Sequence, residues 1–192
     1  MTEKNLIGSE TEKNLMIAFA GESQARNRYS YYASEAKKEG YEQISKIFLE
    51  TADNEKEHAK VFFKYLDKSK ITITAPFLTG LGKTEENLKI SIEGEHEENT
   101  NLYPSFAKIA KEEGFDEIAK SFEEVAEAEK HHEKRYKKLL SNLENNEVFC
   151  KKEIVEWKCL NCGYIHDGKK APLSCPSCKH PQKYFEINCD NF

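Results

Sequence analysis

An internal repeat constrains the fold of this 192-residue chain more than any other feature of its sequence. Sliding residues 32–66 onto residues 106–140, an offset of 74, matches 16 of 35 positions. The matches include the pairs Gly40/Gly114, Ile44/Ile118, Phe48/Phe122, Glu55/Glu129 and His58/His132. Apolar residues recur with helical spacing in both copies, so each copy is interpreted as one long helical hairpin. The repeat therefore predicts four helices.

The ends of these helices carry recognisable signals. Ser9 followed by Glu12 can form a capping box, and Gly40 and Gly114 can adopt the left-handed conformation that ends a helix. Pro104 should bend the third helix, because it removes a backbone hydrogen bond. Residues 69–83 are long enough to cross the bundle, which predicts an all-α four-helix bundle with one long crossover. The predicted helices span residues 10–38, 41–67, 85–112 and 115–142.

Each predicted helix places metal-binding residue types on its apolar stripe. They are Glu22 in the first helix, Glu55 and His58 in the second, Glu95 and Glu98 in the third, and Glu129 and His132 in the fourth. A buried carboxylate is costly unless its charge is neutralised, so five inward glutamates require cations. One glutamate from each of two helices, with Glu-x-x-His from the other two, is the arrangement of di-iron and di-manganese carboxylate bundles. Oxygen and imidazole ligands favour iron or manganese over zinc.

Not every Glu-x-x-His step in this chain has a functional interpretation. Glu93 and His96 form a third such step, but it lies one residue off the apolar stripe. We expect Glu93, His96 and His131 to lie on the solvated faces of their helices. The other two Glu-x-x-His steps occupy corresponding points of the repeat. Because a duplication copies its residues together, these two steps are not fully independent evidence for a metal site.

The cysteines mark a second unit. All six lie at or after position 150, which predicts a bundle domain over 1–146, a linker over 147–153 and a small β-rich module over 154–192. Two Cys-x-x-Cys pairs separated by twelve residues are typical of a tetrahedral four-thiolate site, which either zinc or iron can occupy. Its predicted ligands are Cys159, Cys162, Cys175 and Cys178. Cys150 and Cys189 are left without a role.

Charge and hydropathy exclude several classes of partner. The net charge of −5 argues against a nucleic-acid surface or an anionic membrane as the main partner. The longest apolar run, residues 15–20, is far shorter than a membrane-spanning helix requires. The first five residues lack the layout of a signal peptide, so a cytoplasmic location is expected.

Taken together, these motifs resemble the rubrerythrin family over nearly the whole chain. The resemblance is carried by Ala20–Ser23, Glu55–His58, Gly94–Glu98 with Tyr103 and Pro104, Glu129–Arg135, and the two cysteine pairs with Gly163 and Tyr164. It implies a ferritin-like di-iron bundle followed by a rubredoxin-like module. It also favours iron over zinc in the four-thiolate site, because the family holds an Fe(Cys)4 centre there.

The resemblance also implies roles for individual residues. Glu55 and Glu95 would bridge the two irons, while Glu129 and His132 would hold one of them. Glu22 would bind the other iron together with either Glu98 or His58. Tyr29 and Tyr103 would orient carboxylates, although ordinary core packing also accounts for both tyrosines.

The activity implied by the resemblance is the two-electron reduction of hydrogen peroxide to water. Electrons would come through the Fe(Cys)4 centre, which serves the di-iron site of another subunit, so a homodimer or larger assembly is expected. The donor would be rubredoxin or an NAD(P)H-dependent rubredoxin reductase, since this chain has no Gly-x-Gly-x-x-Gly fingerprint. Two alternatives stay open: an iron-handling ferroxidase, and a non-catalytic helical scaffold with a zinc ribbon.

Overall fold

The computed structural model describes residues 5–68 and 70–189. The ends of the two predicted domains (1–4 and 190–192) and Ser69 of the predicted crossover lie outside the described residues. The helices are α1 (Glu10–Lys38), α2 (Glu42–Tyr65), α3 (Thr84–Glu97), a π-helical turn (Glu98–Leu102), α4 (Tyr103–Glu113) and α5 (Asp116–Glu144). The strands are β1 (Cys150–Cys159), β2 (Ile165–Lys170) and β3 (Phe185–Ile187), with a 3-10 turn at Gln182–Tyr184.

The four-helix bundle is confirmed, with α3, the π turn and α4 following one another as its third member. The expected end signals act as predicted at three positions. The Ser9 hydroxyl accepts a hydrogen bond from the backbone N–H of Glu12 and caps α1. Gly40 and Gly114 end their helices with φ of 88° and 79°, values that glycine adopts without steric cost. The crossover is held to α1 by a hydrogen bond from the Tyr32 hydroxyl to the carbonyl of Gly80.

The bundle core is divided into two apolar clusters with a polar layer between them. One cluster contains Leu15, Phe62, Phe106 and Phe122, and the other contains Tyr32, Ile44, Phe48, Leu88 and Tyr136. Along every helix, the predicted metal ligands fall between the residues that join one cluster and those that join the other. Both ends of the polar layer are therefore closed by packed side chains.

The π turn marks a one-residue insertion in the second copy of the repeat. The offset between copies is 73 residues at Glu22/Glu95 but 74 at Tyr29/Tyr103 and beyond. One extra residue in an α-helix would rotate everything after it by about 100°. The chain absorbs the insertion in the π turn, where the N–H of Tyr103 donates to the carbonyl of Glu98, five residues back.

This insertion corrects the prediction for the third helix. The π turn comes directly before α4, and Pro104 is the second residue of α4. The bend that Pro104 is expected to cause stays a prediction. The predicted helix 85–112 is therefore two α-helices joined by a π turn.

The small module is a three-stranded antiparallel sheet with the order β2-β1-β3. Trp157 is fully buried at its centre and donates from its indole N–H to the carbonyl of Gly168. The module contacts the end of the α1–α2 hairpin, where the rings of Phe149 and Tyr41 stack and Lys183 pairs with Glu42 at 2.9 Å. Strand β1 begins within the predicted linker 147–153, and the division of the chain at these positions stays a prediction.

Among the described residues, no helix combines the length and the apolar character that crossing a membrane would require.

Candidate metal centres

Side chains from the bundle, all buried except the half-buried His58, form two groups of potential metal ligands that share two carboxylates. One group is Glu22, Glu55, His58 and Glu129, and the other is Glu55, Glu95, Glu129 and His132. Within each group, one ligand atom from every residue lies within 4.8 Å of the others. Glu55 and Glu129 belong to both groups, so the arrangement suits two neighbouring metal ions.

The two histidines lie on either side of the shared carboxylates. The Nδ1 atom of His58 lies 2.9 Å from Glu55 and 2.8 Å from Glu129. The Nδ1 atom of His132 lies 3.2 Å from Glu55 and 2.7 Å from Glu129. In each Glu-x-x-His step the two side chains share one helix face, because residues three apart are neighbours on a helix. The repeat therefore builds the same half-site twice.

The charges of this layer are incompletely balanced by the protein itself. Burial, followed by the negative charges of Glu129 and Glu55 respectively, raises the pKa of Glu22 and Glu95 well above the ordinary value. Burial alone would also raise the pKa of Glu129, but the two histidines outweigh it and lower that pKa to about 2. The same contacts overcome burial to raise the pKa of His58 to about 10 and of His132 to about 12.

Unpartnered atoms in this layer fit bound cations. Within the described residues, Oε2 of Glu22, Oε1 of Glu55, Oε2 of Glu95, both carboxylate oxygens of Glu129 and Nδ1 of His132 are buried without a hydrogen-bond partner. Several of them are close enough to form ion pairs yet are not aligned as hydrogen bonds. Buried polar atoms are almost always partnered, so a concentration of unpartnered atoms at one place fits a site that binds cations. The oxygen and imidazole donors present suit iron or manganese.

The structure separates Glu98 from the other predicted ligands. Glu98 is half-buried and belongs to neither group of four, whereas His58 belongs to the group that contains Glu22. It still lies near enough for its charge to contribute to the raised pKa of Glu22. Burial and the charge of Glu95 raise the pKa of Glu98 itself.

The two groups share some residues and not others. Glu55 and Glu129 belong to both groups, and Glu95 belongs to the group that contains His132. Glu129 on α5 contacts both histidines, and Glu95 on α3 lies 3.6 Å from Nδ1 of His132. The bridging roles of Glu55 and Glu95 that the resemblance implies stay a prediction.

Tyr29 and Tyr103 each hold one of the unshared glutamates. The hydroxyl of Tyr29 donates to Oε1 of Glu95 at 2.5 Å, and the hydroxyl of Tyr103 donates to Oε1 of Glu22. Both tyrosines are fully buried. In each carboxylate the second oxygen, Oε2, is left for a metal.

Sequence reasoning missed one polar group beside the site. Glu133 has only 7% of its surface exposed and accepts hydrogen bonds from Asn99 at 2.9 Å, from His96 at 3.0 Å and from Lys137. His96 is exposed, as expected, but it is bound to Glu133 and is not simply solvated. The available signal was the change of repeat offset from 73 to 74, which places an insertion beside these residues.

Two similar loops build the four-cysteine site. The N–H of Gly163 donates to the carbonyl of Cys159 at 2.8 Å, and the N–H of Lys179 donates to that of Cys175 at 2.9 Å. Gly163 and Lys179 both have positive φ, which turns the chain sharply after the second cysteine of each pair. The four sulfur atoms converge as a result, with Cys159, Cys162, Cys175 and Cys178 lying within 4.8 Å of one another.

The sulfur spacing fits a metal and not disulfides. The Sγ atoms of Cys159 and Cys178, and those of Cys162 and Cys175, are 3.7 Å apart. A disulfide requires about 2.05 Å. A tetrahedral ion with metal–sulfur bonds of about 2.3 Å places its sulfurs about 3.8 Å apart. A backbone N–H from His180 lowers the pKa of Cys178 to about 6, which favours the thiolate that a metal binds.

Comparison with known proteins agrees with both centres. The family model for rubrerythrin matches residues 13–140, and the model for the rubrerythrin rubredoxin-like domain matches residues 157–186. The chain belongs to the rubrerythrin family. Rubrerythrin-1 of Clostridium acetobutylicum is 57% identical over 98% of this chain and 100% of its own length. Rubrerythrin of Porphyromonas gingivalis is 55% identical over 98% of this chain and 95% of its own.

Solved structures agree with this assignment. A mixed-valence structure of nigerythrin aligns with a TM-score of 0.64 and 29% identity, covering 97% of this chain and 90% of the nigerythrin chain. The fold is a ferritin-like bundle followed by a rubredoxin-like domain. Both ligand sets of a rubrerythrin, the di-iron carboxylate–histidine site and the four-cysteine site, are present here.

Proposed function

We propose that this protein is a non-haem di-iron peroxidase that reduces hydrogen peroxide to water in protection against oxidative stress. One observation carries the proposal: a single chain joins a two-metal carboxylate–histidine site to a four-thiolate site. Reduction of the peroxide O–O bond consumes two electrons, and a four-thiolate iron exchanges one electron at a time. A storage protein has no need of such an electron-delivering module.

In this proposal the ligands divide into a shared pair and two ends. When bound, two irons supply the two electrons and the Lewis acidity that cleavage of the O–O bond requires. Glu55 and Glu95 would hold both metals. Glu129 and His132 would complete one metal position, and Glu22 together with Glu98 or His58 would complete the other.

Glu98 is proposed as the alternative to His58 at the Glu22 end. Its carboxylate lies outside both groups yet borders the same polar layer, and a carboxylate compensates one more unit of positive charge than a neutral imidazole. The more oxidised form of the site would therefore favour Glu98, and the more reduced form would favour His58.

In this proposal the two tyrosines hold the carboxylates of Glu95 and Glu22 in place. Burial and neighbouring carboxylates raise the pKa values of Tyr29 and Tyr103 well above 10, so both hydroxyls stay protonated at neutral pH. Each can therefore act only as a donor to its carboxylate. A ligand with one oxygen held in this way keeps the other oxygen directed at the metal.

Electron delivery is proposed to occur between subunits of a homo-oligomer. Within one chain, the module contacts α2 at Glu42 and Lys46. Lys46 lies nine residues before Glu55, which corresponds to about 14 Å along a helix. The module thus contacts one end of the bundle and not the polar layer itself, and we propose that it delivers electrons to the site of a second copy. Rubredoxin or an NAD(P)H-dependent rubredoxin reductase is the proposed donor, in the cytoplasm, where thiolates persist unoxidised.

Anaerobic single-turnover kinetics test the proposal. The fully reduced protein is mixed with hydrogen peroxide or with oxygen, and oxidation is followed by absorbance. We expect faster oxidation by peroxide; much faster oxidation by oxygen would replace the proposal with a ferroxidase. Metal analysis separates the scaffold alternative, because the proposal requires about three irons per chain and a scaffold would hold zinc alone.

A further inference from the structure

The π turn is tied to α5 by one buried carboxylate. Glu133 accepts a hydrogen bond from Nδ2 of Asn99, a residue of the π turn, at 2.9 Å. It also accepts from Nδ1 of His96 on α3 at 3.0 Å and from Nζ of Lys137 on α5. Glu133 therefore joins the segments on both sides of Glu98 to the helix that supplies Glu129 and His132.

Asn99 makes a second contact to the last turn of α3. Its Nδ2 atom donates to the backbone carbonyl of Glu95, four residues back, at 2.5 Å. A π turn breaks the regular series of α-helical hydrogen bonds and is uncommon for that reason. The Asn99 side chain thus links a carbonyl just before the π turn to the carboxylate of Glu133.

The first copy of the repeat provides an internal comparison. It has no insertion, and the position equivalent to Glu133 is Ala59. Ser23 stands at the position of His96, and Phe63 at that of Lys137. The polar contacts therefore occur only in the copy that has the π turn, as expected if they serve that turn and not the bundle in general.

We propose that Glu133 and Asn99 are a positioning pair that holds the π turn in register and so keeps Glu98 within reach of the di-iron site. The inference rests on the proposed role of Glu98. Neither residue belongs to the ligand groups, so the pair acts through the backbone that positions Glu98. Without it, the extra residue can relax into neighbouring turns, which displaces Glu98 from the polar layer.

Hydrogen exchange of the iron-loaded full-length protein tests the pair directly. In Asn99→Leu and Glu133→Ala, amides in the peptide spanning 98–106 are expected to exchange about tenfold faster than in the parent, equivalent to about 1.4 kcal/mol. Glu133→Gln keeps an oxygen that can accept from Asn99, so its exchange should stay within about threefold of the parent. Asn27→Leu is the matched control, because Asn27 makes the same bond to a carbonyl four residues back in α1.

The outcomes separate positioning from other roles. Exchange within about twofold of the parent in both Asn99→Leu and Glu133→Ala would overturn the proposal. An equal acceleration of the α1 amides around Asn27 in the control Asn27→Leu would also overturn it, because the loss of any such side-chain bond would then have the same effect. Glu133→Gln behaving like Glu133→Ala would also overturn it, because charge and not hydrogen bonding would then be responsible. Exchange is measured without peroxide, so these results stand even if the peroxidase proposal fails.

A double-mutant cycle tests the link to Glu98. Asn99→Leu should slow peroxide-driven oxidation about tenfold in the parent but have little further effect in a Glu98→Ala background. The same slowing in both backgrounds would show that Asn99 does not act through Glu98.

Discussion

The hydroxyl of Tyr29 on α1 donates a 2.5 Å hydrogen bond to the carboxylate of Glu95 on α3. The repeat reproduces this contact in the opposite direction, from Tyr103 on α4 to Glu22 on α1. The two bonds cross the bundle between its halves, one from each copy to the other. They orient the unshared carboxylates by contacts that the protein makes on its own, before any metal is considered.

Removing one of these hydroxyls should weaken metal binding without unfolding the bundle. In Tyr29→Phe, the carboxylate of Glu95 loses its donor, and loss of such a contact typically costs 10- to 100-fold in metal affinity. Competition between the protein and a chelator for Co²⁺ measures the change. Tyr32→Phe is the control, because the Tyr32 hydroxyl bonds to the backbone of Gly80 and contacts no ligand. Unchanged affinity in Tyr29→Phe would assign Tyr29 to core packing alone.

Removing Glu98 should slow catalysis more than it lowers metal content. Because Glu98 lies outside both ligand groups, Glu98→Ala is expected to fold normally, retain most of its iron and turn over peroxide about tenfold or more slowly. Iron analysis and peroxidase assays on the same preparation check this. Glu97→Ala is the matched control, since Glu97 is exposed and accepts a hydrogen bond from the side chain of Asn101 in the π turn. A rate equal to the parent rate would exclude Glu98 from the mechanism.

The metal-free protein should lose stability as pH rises above neutrality. The folded-state pKa values of Glu22 and Glu95 are raised above their ordinary 4.5, and those of His58 and His132 are raised from 6.5 to about 10 and about 12. These groups bind protons more tightly in the folded protein than in the unfolded chain. Their contribution to the free energy of unfolding is therefore complete at a pH below their ordinary pKa, and it is lost as the pH rises toward their folded-state pKa. For each extra proton that the folded state holds, the free energy of unfolding falls by about 1.4 kcal/mol for every unit by which the pH rises.

Urea unfolding of the metal-free protein at about pH 6.5 and about pH 8.5 measures this decline. Glu129 does not offset it, because its pKa is lowered to about 2 and its contribution is lost only in acid. The iron-loaded protein is the comparison: metals displace these protons, so the stabilisation by iron should grow with pH. Equal or greater stability of the metal-free protein at the higher pH would contradict the assigned protonation.

Disrupting the four-thiolate site should uncouple electron supply from the di-iron reaction. Cys162→Ser is expected to remove the visible thiolate-to-iron absorption and to stop turnover with an external donor. Stoichiometric oxidation of the reduced di-iron site by peroxide should survive at the parent rate. Cys189→Ser controls for loss of an exposed thiol, since Cys189 lies outside the four-sulfur group. If Cys162→Ser also abolished stoichiometric oxidation, the module would be needed for more than electron supply.

Much of the architecture was accessible from local sequence patterns. The predicted helix 10–38 coincides with α1, and the predicted helices 41–67 and 115–142 each end within two residues of α2 and α5. Capping residues and left-handed glycines act within a few residues of the chain, so their effects can be inferred without a fold. The same holds for the cysteine pairs, whose two loops each close within five residues.

The relations across the bundle were not accessible in that way. Helical periodicity tells which face of a helix a glutamate occupies, but not how far its oxygens lie from those of another helix. The sharing of Glu129, the separation of Glu98 and the burial of Glu133 all depend on such distances. The π turn likewise appeared in the sequence only as a one-residue change in the repeat offset.

The sequence alone determined that this chain forms a duplicated helical bundle with inward-facing ligands, followed by a four-thiolate module, because those features follow from residue spacing along single segments. Only the tertiary structure decided which ligands lie close together: Glu55 and Glu129 in both groups, and Glu98 in neither. The physical reason is that the packing of four helices sets the distances between side chains on different helices.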